Sequence, residues 1–317
     1  MKDVAEIPGL VSIMIPTYER PELFELTLKS ALAQTYKKIE ILVCDNSRDE
    51  RTAKLMEKYR GHPLVTYVRN REAKTKAENF MPFERMAKGE YLQWLMDDDI
   101  LRPQKLTKMV KALQKDPKVK LVTSLRGLID GEGSYLGQRD VGYTVNGKYG
   151  VITGNQMGRY TLMTMRNPIG EPSAVLFRRR DLTNHYWRAE SRGYLAISDV
   201  AMWLELMEQG DVVVFRVPLS DYRRHKTQEG HQGNVILLSR LEWMRLGTEY
   251  YRRRVFLTEP EEYKTLLKVL VTEYETSVSA VYEELSRCSL WPDFVEAIGT
   301  ARRMLSMEDA ELERVLA

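Results

Sequence analysis

Three consecutive carboxylates, Asp97-Asp98-Asp99, follow the apolar run Trp94-Leu95-Met96. Adjacent negative charges repel unless a cation or strong donors offset them. A hard divalent ion such as Mg2+ or Mn2+ would do so and would also bind diphosphate oxygens. An acidic start to the helix that Pro103 announces explains the same residues through the helix dipole. Two more polar clusters stand directly after apolar runs, Pro16-Thr17-Tyr18-Glu19-Arg20-Pro21 and Cys44-Asp45-Asn46-Ser47. Thr, Asp and Asn there can hydrogen-bond a base or ribose, and the same types make turns and helix caps.

These clusters need a scaffold that brings strand ends together. Apolar runs at 10–15, 39–44, 64–68, 91–96 and 119–124 are each one strand long and rich in Val, Ile, Leu or Tyr. Between them, 21–34, 50–60, 75–88 and 103–115 read as helices, with Pro21 and Pro103 in tolerated first-turn positions. Strand alternating with helix predicts an α/β fold, a mostly parallel sheet flanked by helices, whose ligands collect beyond the carboxyl ends of the strands. The polar clusters fall at those ends. A hairpin or mobile loop is expected over 127–149, a strand at 173–177, a helix at 199–208 and a strand at 212–217. Beyond Asn234 the pattern is helical: 235–254, 260–287, 291–305 and a segment from Met307. This places a boundary between a domain over 1–234 and a helical C-terminal subdomain over 235–317.

Composition narrows the setting. The 317 residues carry 48 Lys and Arg against 45 Asp and Glu, a net charge of +3, too balanced for a dedicated nucleic-acid binder. Arg245 and Arg252-Arg253-Arg254 lie among Trp243, Tyr250 and Tyr251, and an amphipathic helix packed on its neighbours is the expected reading. The two cysteines, Cys44 and Cys288, make neither a disulfide framework nor a clustered zinc site, which favours a reducing, cytoplasmic setting, with peripheral membrane attachment still open. No transmembrane segment or signal peptide is expected.

Taken in order, Val11-Ser12-Ile13-Met14-Ile15-Pro16-Thr17-Tyr18-Glu19-Arg20, Ser30-Ala31-Leu32-Ala33-Gln34-Thr35, Ile41-Leu42-Val43-Cys44-Asp45-Asn46-Ser47, Lys88-Gly89-Glu90-Tyr91 and Asp97–Asp99 resemble the inverting family 2 glycosyltransferases. The resemblance covers roughly residues 10–226. It implies a GT-A fold, a Rossmann-like domain that binds a nucleotide-diphosphate sugar with a divalent cation, Mn2+ or Mg2+. Carried over by position, Pro16, Thr17, Tyr18, Glu19 and Asp45 would hold the base and ribose, and Arg71 or Lys76 would stand near phosphate. Many members read Leu-Asp-x-Asp-Asp where this chain has Leu95-Met96-Asp97-Asp98-Asp99. The resemblance then assigns Asp97 to the ribose or a metal-bound water, Asp98 to the metal, and Asp99 with Trp94 to the acceptor or sugar side.

Inversion needs a base to take the acceptor's proton, and Asp199, at the start of an amphipathic helix, fits both that role and a capping role. Glu171, in Gly170-Glu171-Pro172-Ser173, resembles an acceptor-side contact. His225, in Tyr222-Arg223-Arg224-His225-Lys226, resembles a histidine that completes the metal site, and Arg224 or Lys226 could instead meet the diphosphate. His231 is expected in a loop that Gly230 and Gly233 let close over the donor. The implied partners are a UDP- or dTDP-sugar, a glycan, lipid-linked or protein acceptor, and a second copy of the chain through the helical tail. A non-catalytic nucleotide-sugar-binding or scaffold subunit is the alternative, because the first aspartate of the family's cluster is Met96.

Overall fold

Residues 5–139, 147–182, 193–225, 233–278 and 282–316 are described in the computed structural model of the chain. Strands β1 (Ile7–Thr17), β2 (Ile39–Asp45), β3 (Val65–Arg69) and β4 (Gly89–Trp94) pair in parallel in the order β3-β2-β1-β4. The central residues of β1, β2 and β4 are buried almost without interruption, as expected of strands covered on both faces, whereas β3, at the edge of the sheet, is only half-buried. Helices α1 (Pro21–Leu32), α2 (Arg51–Met56) and α5 (Lys105–Lys115) cover one face, with Phe24, Leu28, Leu106 and Met109 fully enclosed.

Between them the expected helix at 75–88 is broken into α3 (Lys76–Phe80) and α4 (Phe83–Met86). Pro82 sits at the break, where its missing N–H and its ring forbid a continuous helix. Thr75 and Glu78 close a capping box at the start of α3.

Beyond β4 the sheet becomes mixed. The short β5 (Ile100–Leu101) runs antiparallel to β10 (Asp211–Arg223), which lies parallel to β6 (Val119–Ile129). β7 (Tyr135–Arg139) returns along β6 as the expected hairpin, and β8 (Tyr149–Ile152) adds to the other edge of β10. The strand expected at 173–177 begins later, as β9 (Leu176–Arg178), because Pro172 starts a turn of 3-10 helix over Pro172–Ala174. β10 continues six residues past the expected end at 217, which carries its last residues back to the aspartates.

Helix α6 (Gly154–Thr164) carries too little apolar periodicity for its sequence to announce it. Thr153 caps it by accepting the Gln156 N–H at 3.2 Å, and Gly158 supplies the space for Phe256, whose ring would lie 2.6 Å from an added Cβ. Helix α7 (Ser198–Gln209) packs beside it with Trp203, Leu204 and Met207 buried. The C-terminal helices are α8 (Gly233–Arg252), α9 (Pro260–Glu273), α10 (Tyr282–Leu285), α11 (Trp291–Ser306) and α12 (Asp309–Leu316). Within the span expected as one helix, 260–287, α9 passes directly into a π turn at Tyr274–Val278, and α10 follows beyond residues 279–281, which lie outside the described ones.

The tail does not stand apart. Trp243, Leu246, Tyr250 and Leu266 belong to the same buried cluster as Leu121, Trp203 and Val212 of the sheet and α7. Its arginines meet protein carboxylates, Arg253 with Glu208 at 2.5 Å and Arg254 with Glu313 at 2.8 Å, as an amphipathic packed helix requires. Among the described residues no helix is long and apolar enough to cross a membrane.

Candidate active site

The ends of β1 and β2 are in register, Thr17 opposite Asp45, so the first two polar clusters lie side by side. Glu19 adopts a left-handed backbone (φ 54), uncommon for a residue with a Cβ. That turn aims its N–H at the Ser47 hydroxyl, 2.7 Å away, and so ties the β1 cluster to the β2 cluster. Asp45 is fully enclosed and accepts from the Tyr67 hydroxyl at 2.7 Å and the Ser47 N–H at 2.8 Å. Arg69 braces the same turn by donating to the Ser47 and Asp49 carbonyls at 2.8 and 2.5 Å. Arg71, expected near phosphate, is instead exposed and paired with Glu50.

The loop after β4 carries the aspartates into a dense network. Asp97 accepts from the Thr17 hydroxyl at 2.9 Å, the Tyr18 N–H at 3.2 Å and Arg20 at 2.7 Å. Arg20 extends its other terminal nitrogen to Asp98 at 2.9 Å, so one guanidinium bridges both carboxylates. Burial pushes the Asp97 carboxyl above its ordinary range, with Arg20 pulling the other way. His225 Nε2 lies 2.9 Å from the same Asp98 oxygen. The residues that the sequence assigns to a metal therefore meet, although 127 positions separate them. Arg223 locks the loop from behind, donating to the Asp98 carbonyl at 2.8 Å through its side chain and to the Asp99 carboxylate at 3.2 Å through its N–H.

Asp99 and Trp94, expected on the acceptor or sugar side, are buried. Asp99 is 2% exposed, its carboxyl held well above the ordinary range by burial and by Asp98, with Ser173 and Arg223 as donors and buried Lys105 within electrostatic reach. Trp94, also in the interior, packs on Phe80 and Phe83 with ring centroids 5.0 and 5.4 Å away. An odd-even reading of β4 could not separate these inward side chains from ligand-facing ones, because both faces of the strand are covered.

Asp199 occupies the first turn of α7, half-buried. Its Oδ1 accepts the Val200 N–H at 2.8 Å and its Oδ2 accepts from the Asn167 amide at 3.0 Å. Asn167 also clasps Gly170, accepting its N–H at 2.8 Å and donating to its carbonyl at 3.1 Å, so one amide fixes both the carboxylate and the loop beside it. Gly170 (φ 101) admits no side chain, since a Cβ would sit 1.8 Å from the Arg126 guanidinium. The next residue, Glu171, pairs with that arginine at 2.8 Å and with Arg139 at 3.4 Å. Burial raises the Asp199 carboxyl to about 6, Val200 and Lys76 acting against the rise and Glu171 adding to it. Lys76 is exposed at the start of α3, and its charge acts on the Asp199 carboxyl.

Arg20, Asn167 and Arg223 are the side chains whose importance the linear sequence concealed. Arg20 follows the motif it completes, and a bridging role was legible only in that proximity. Lys226, Gly230 and His231 lie outside the described residues, and Gly233 opens α8.

A family model described as Glycosyl transferase family 2 matches residues 12–183, more than half of the chain. The chain belongs to glycosyl transferase family 2. Its expected GT-A fold is shown by S. aureus TarS, solved with UDP-GlcNAc, which aligns with a TM-score of 0.63 at 14% identity over 92% of this chain and 80% of that one. The mannosyltransferase PcManGT of Pyrobaculum calidifontis, solved with GDP-Man and Mn2+, aligns with a TM-score of 0.51 at 18% identity over 95% of this chain and 87% of its own. Among curated relatives, the Escherichia coli UDP-Glc:alpha-D-GlcNAc-diphosphoundecaprenol beta-1,3-glucosyltransferase WfaP is 31% identical over 107 residues, 34% of this chain and 42% of its own length. The chain spans less than half the length of the curated relatives it matches.

Proposed function

We propose that this family 2 protein transfers a sugar from a nucleotide-diphosphate sugar to an acceptor hydroxyl with inversion. The observation that carries this is the convergence of Asp97, Asp98 and His225 with Thr17 and Tyr18 beyond the strand ends; a half-buried Asp199, held by Asn167 and the Val200 N–H, supplies the candidate base. Pro16, Thr17, Tyr18, Glu19 and the turn that Asp45 organises would receive base and ribose. UDP or dTDP is the expected carrier, and the UDP-GlcNAc bound to TarS agrees with that choice at the level of fold. The whole chain, 1–234 with its helical subdomain 235–317, is the catalytic unit in this reading, because one core runs through both parts.

The site residues suit a divalent cation that arrives with the diphosphate rather than one caged by protein alone. Asp98 and His225 offer an oxygen and a nitrogen that Mn2+ accepts, but among the described residues no three carboxylate, imidazole or thiol side chains are arranged so that they could hold a metal ion by themselves. Such an ion would neutralise charge on the leaving diphosphate. This chain's own contribution is to position that charge: Arg20 and His225 surround Asp98, and Arg223 holds the loop that presents it.

On the opposite side of the sugar, Asp199 would accept the proton of the attacking hydroxyl at its carboxylate, kept in place by Asn167 and Val200. A base works only when deprotonated. Transfer is therefore expected to level off above about pH 6 and to fall as pH drops through it, whereas an aspartate at the ordinary 3.8 would stay active well below that point. A rate-pH profile that remains flat down to about pH 4.5 would remove Asp199 from this role.

Donor binding is tested by thermal unfolding. Millimolar UDP or dTDP with Mn2+ is expected to raise the melting temperature, by about 2.7 kcal/mol of stabilisation at a hundred times Kd. If no nucleoside diphosphate shifts it, the donor site is misplaced.

A further inference from the structure

The helical tail holds the Asp199 helix by its leading segment. Glu242 of α8 is 2% exposed, and its carboxylate accepts the N–H groups of Leu195 at 2.7 Å, Ala196 at 2.9 Å and Ile197 at 3.0 Å. These residues immediately precede α7, whose own N-cap residue, Ile197, provides no side-chain cap. The Ile197 carbonyl accepts the Ala201 N–H at 3.0 Å, so the segment Glu242 holds is also the start of the helix ladder. Neighbouring contacts tighten the grip. The Tyr194 hydroxyl donates to Glu249 at 2.8 Å, and the Arg245 guanidinium lies 4.1 Å from the Tyr194 ring centroid while donating to the Gly193 carbonyl.

We propose that Glu242 is a positioning residue for Asp199, a buried carboxylate in the tail that sets where the base-bearing helix begins. The inference rests on the reading of Asp199 as the base. Its physical content is that hydrogen bonds to an ionised acceptor are short and strong, and three consecutive amides on one carboxylate leave the segment little freedom to slide. Asp199 follows Ile197 by two residues, so a shift of the segment moves the carboxylate with it. Proton transfer demands a heavy-atom approach of about 2.6–3.2 Å, and a misplacement of about 1 Å can cost a hundredfold in rate. The tail thereby becomes part of the catalytic apparatus.

The test measures UDP release from UDP-glucose and UDP-N-acetylglucosamine by the full chain, with water as acceptor. Glu242→Gln keeps the shape but loses the charge and one accepting oxygen. It is expected to lower kcat by about 10- to 100-fold while leaving donor KM and UDP affinity within about twofold, and to speed amide exchange at 195–197. In an Asp199→Asn background the same substitution should cost nothing further, because a residue that acts through the base has nothing left to position. A multiplicative loss in the double variant, or a loss that appears in KM, would overturn the proposal while leaving Asp199 as base. Near-normal turnover by Asp199→Asn would overturn both. Should Glu242→Gln not fold, Tyr194→Phe removes one grip on the same segment. It should lower kcat alone by about two- to fivefold and only when Asp199 is present, and an unchanged kcat would count against the proposal.

Discussion

Asp199→Asn is expected to lower transfer by about 10²–10⁴-fold, the usual contribution of a general base, while melting temperature and UDP affinity stay close to those of the parent chain. The expectation follows from the side chain's surroundings. Asn has nearly the shape of Asp and keeps one oxygen for the Val200 N–H, whereas its amide faces the donating amide of Asn167. Asn167 can turn only by giving up its bonds to Gly170, so a small local cost is expected. The capping alternative makes the opposite forecast. If Asp199 served mainly to start α7, its replacement would lower stability and donor binding together with rate. The structure already gives that helix another support, the Glu242 carboxylate beneath residues 195–197. The comparison of kcat, melting temperature and nucleotide affinity in one variant decides between the two, and near-normal kcat would eliminate the base.

Arg20→Met is expected to destabilise the chain by about 1–3 kcal/mol and to make its stability respond more strongly to Mn2+. Removing one partner of a fully buried ion pair costs about 3–5 kcal/mol because the other charge is left in a poor solvent. Asp97 is buried, but the Arg20 side chain is 37% exposed, so water screens part of the interaction and the lower range applies. In the parent chain the guanidinium occupies the Asp98 oxygen that also lies beside His225, and a metal must share or displace it. Without Arg20 the two carboxylates repel and favour a cation. Mn2+ titrations followed by thermal unfolding and calorimetry should show tighter binding in the variant. Equal Mn2+ responses in the two proteins would mean that Arg20 and the metal do not meet at Asp98.

Much of this was readable along the chain. The alternation of apolar runs with amphipathic ones declares β1 to β4 and the helices between them, because β1, β2 and β4 are buried on both faces, the edge strand β3 is half-buried, and each helix is buried on one face. Polar clusters that stop those runs fall at strand ends by construction, so Thr17, Asp45 and Asp97 share one rim of the sheet before any coordinate is known. Helix α6 escaped because its stability comes from a Thr153 cap and a glycine that admits Phe256 from the tail, neither of which produces a periodic signal. Trp94 and Asp99 were read toward an acceptor for a related reason. Position in a motif says that a side chain is near the site, but burial against Phe80, Phe83 or Lys105 decides which way it is used.

What local sequence determines here is the set of elements and the chemical types at their ends, since propensity, capping and hydrophobic period act over a few residues. Which groups then touch is a long-range matter. The pairing of Asp98 with His225 depends on β10 running past its expected end, and the bridge from Arg20 to both aspartates depends on the turn at Glu19. The support of Asp199 comes from Asn167 on one side and Glu242 in the tail on the other, across 32 positions in the first case. Such contacts are set by how helices pack against a twisted sheet, where each buried polar group must find a partner or lose its hydration without return, and no window of sequence contains that constraint.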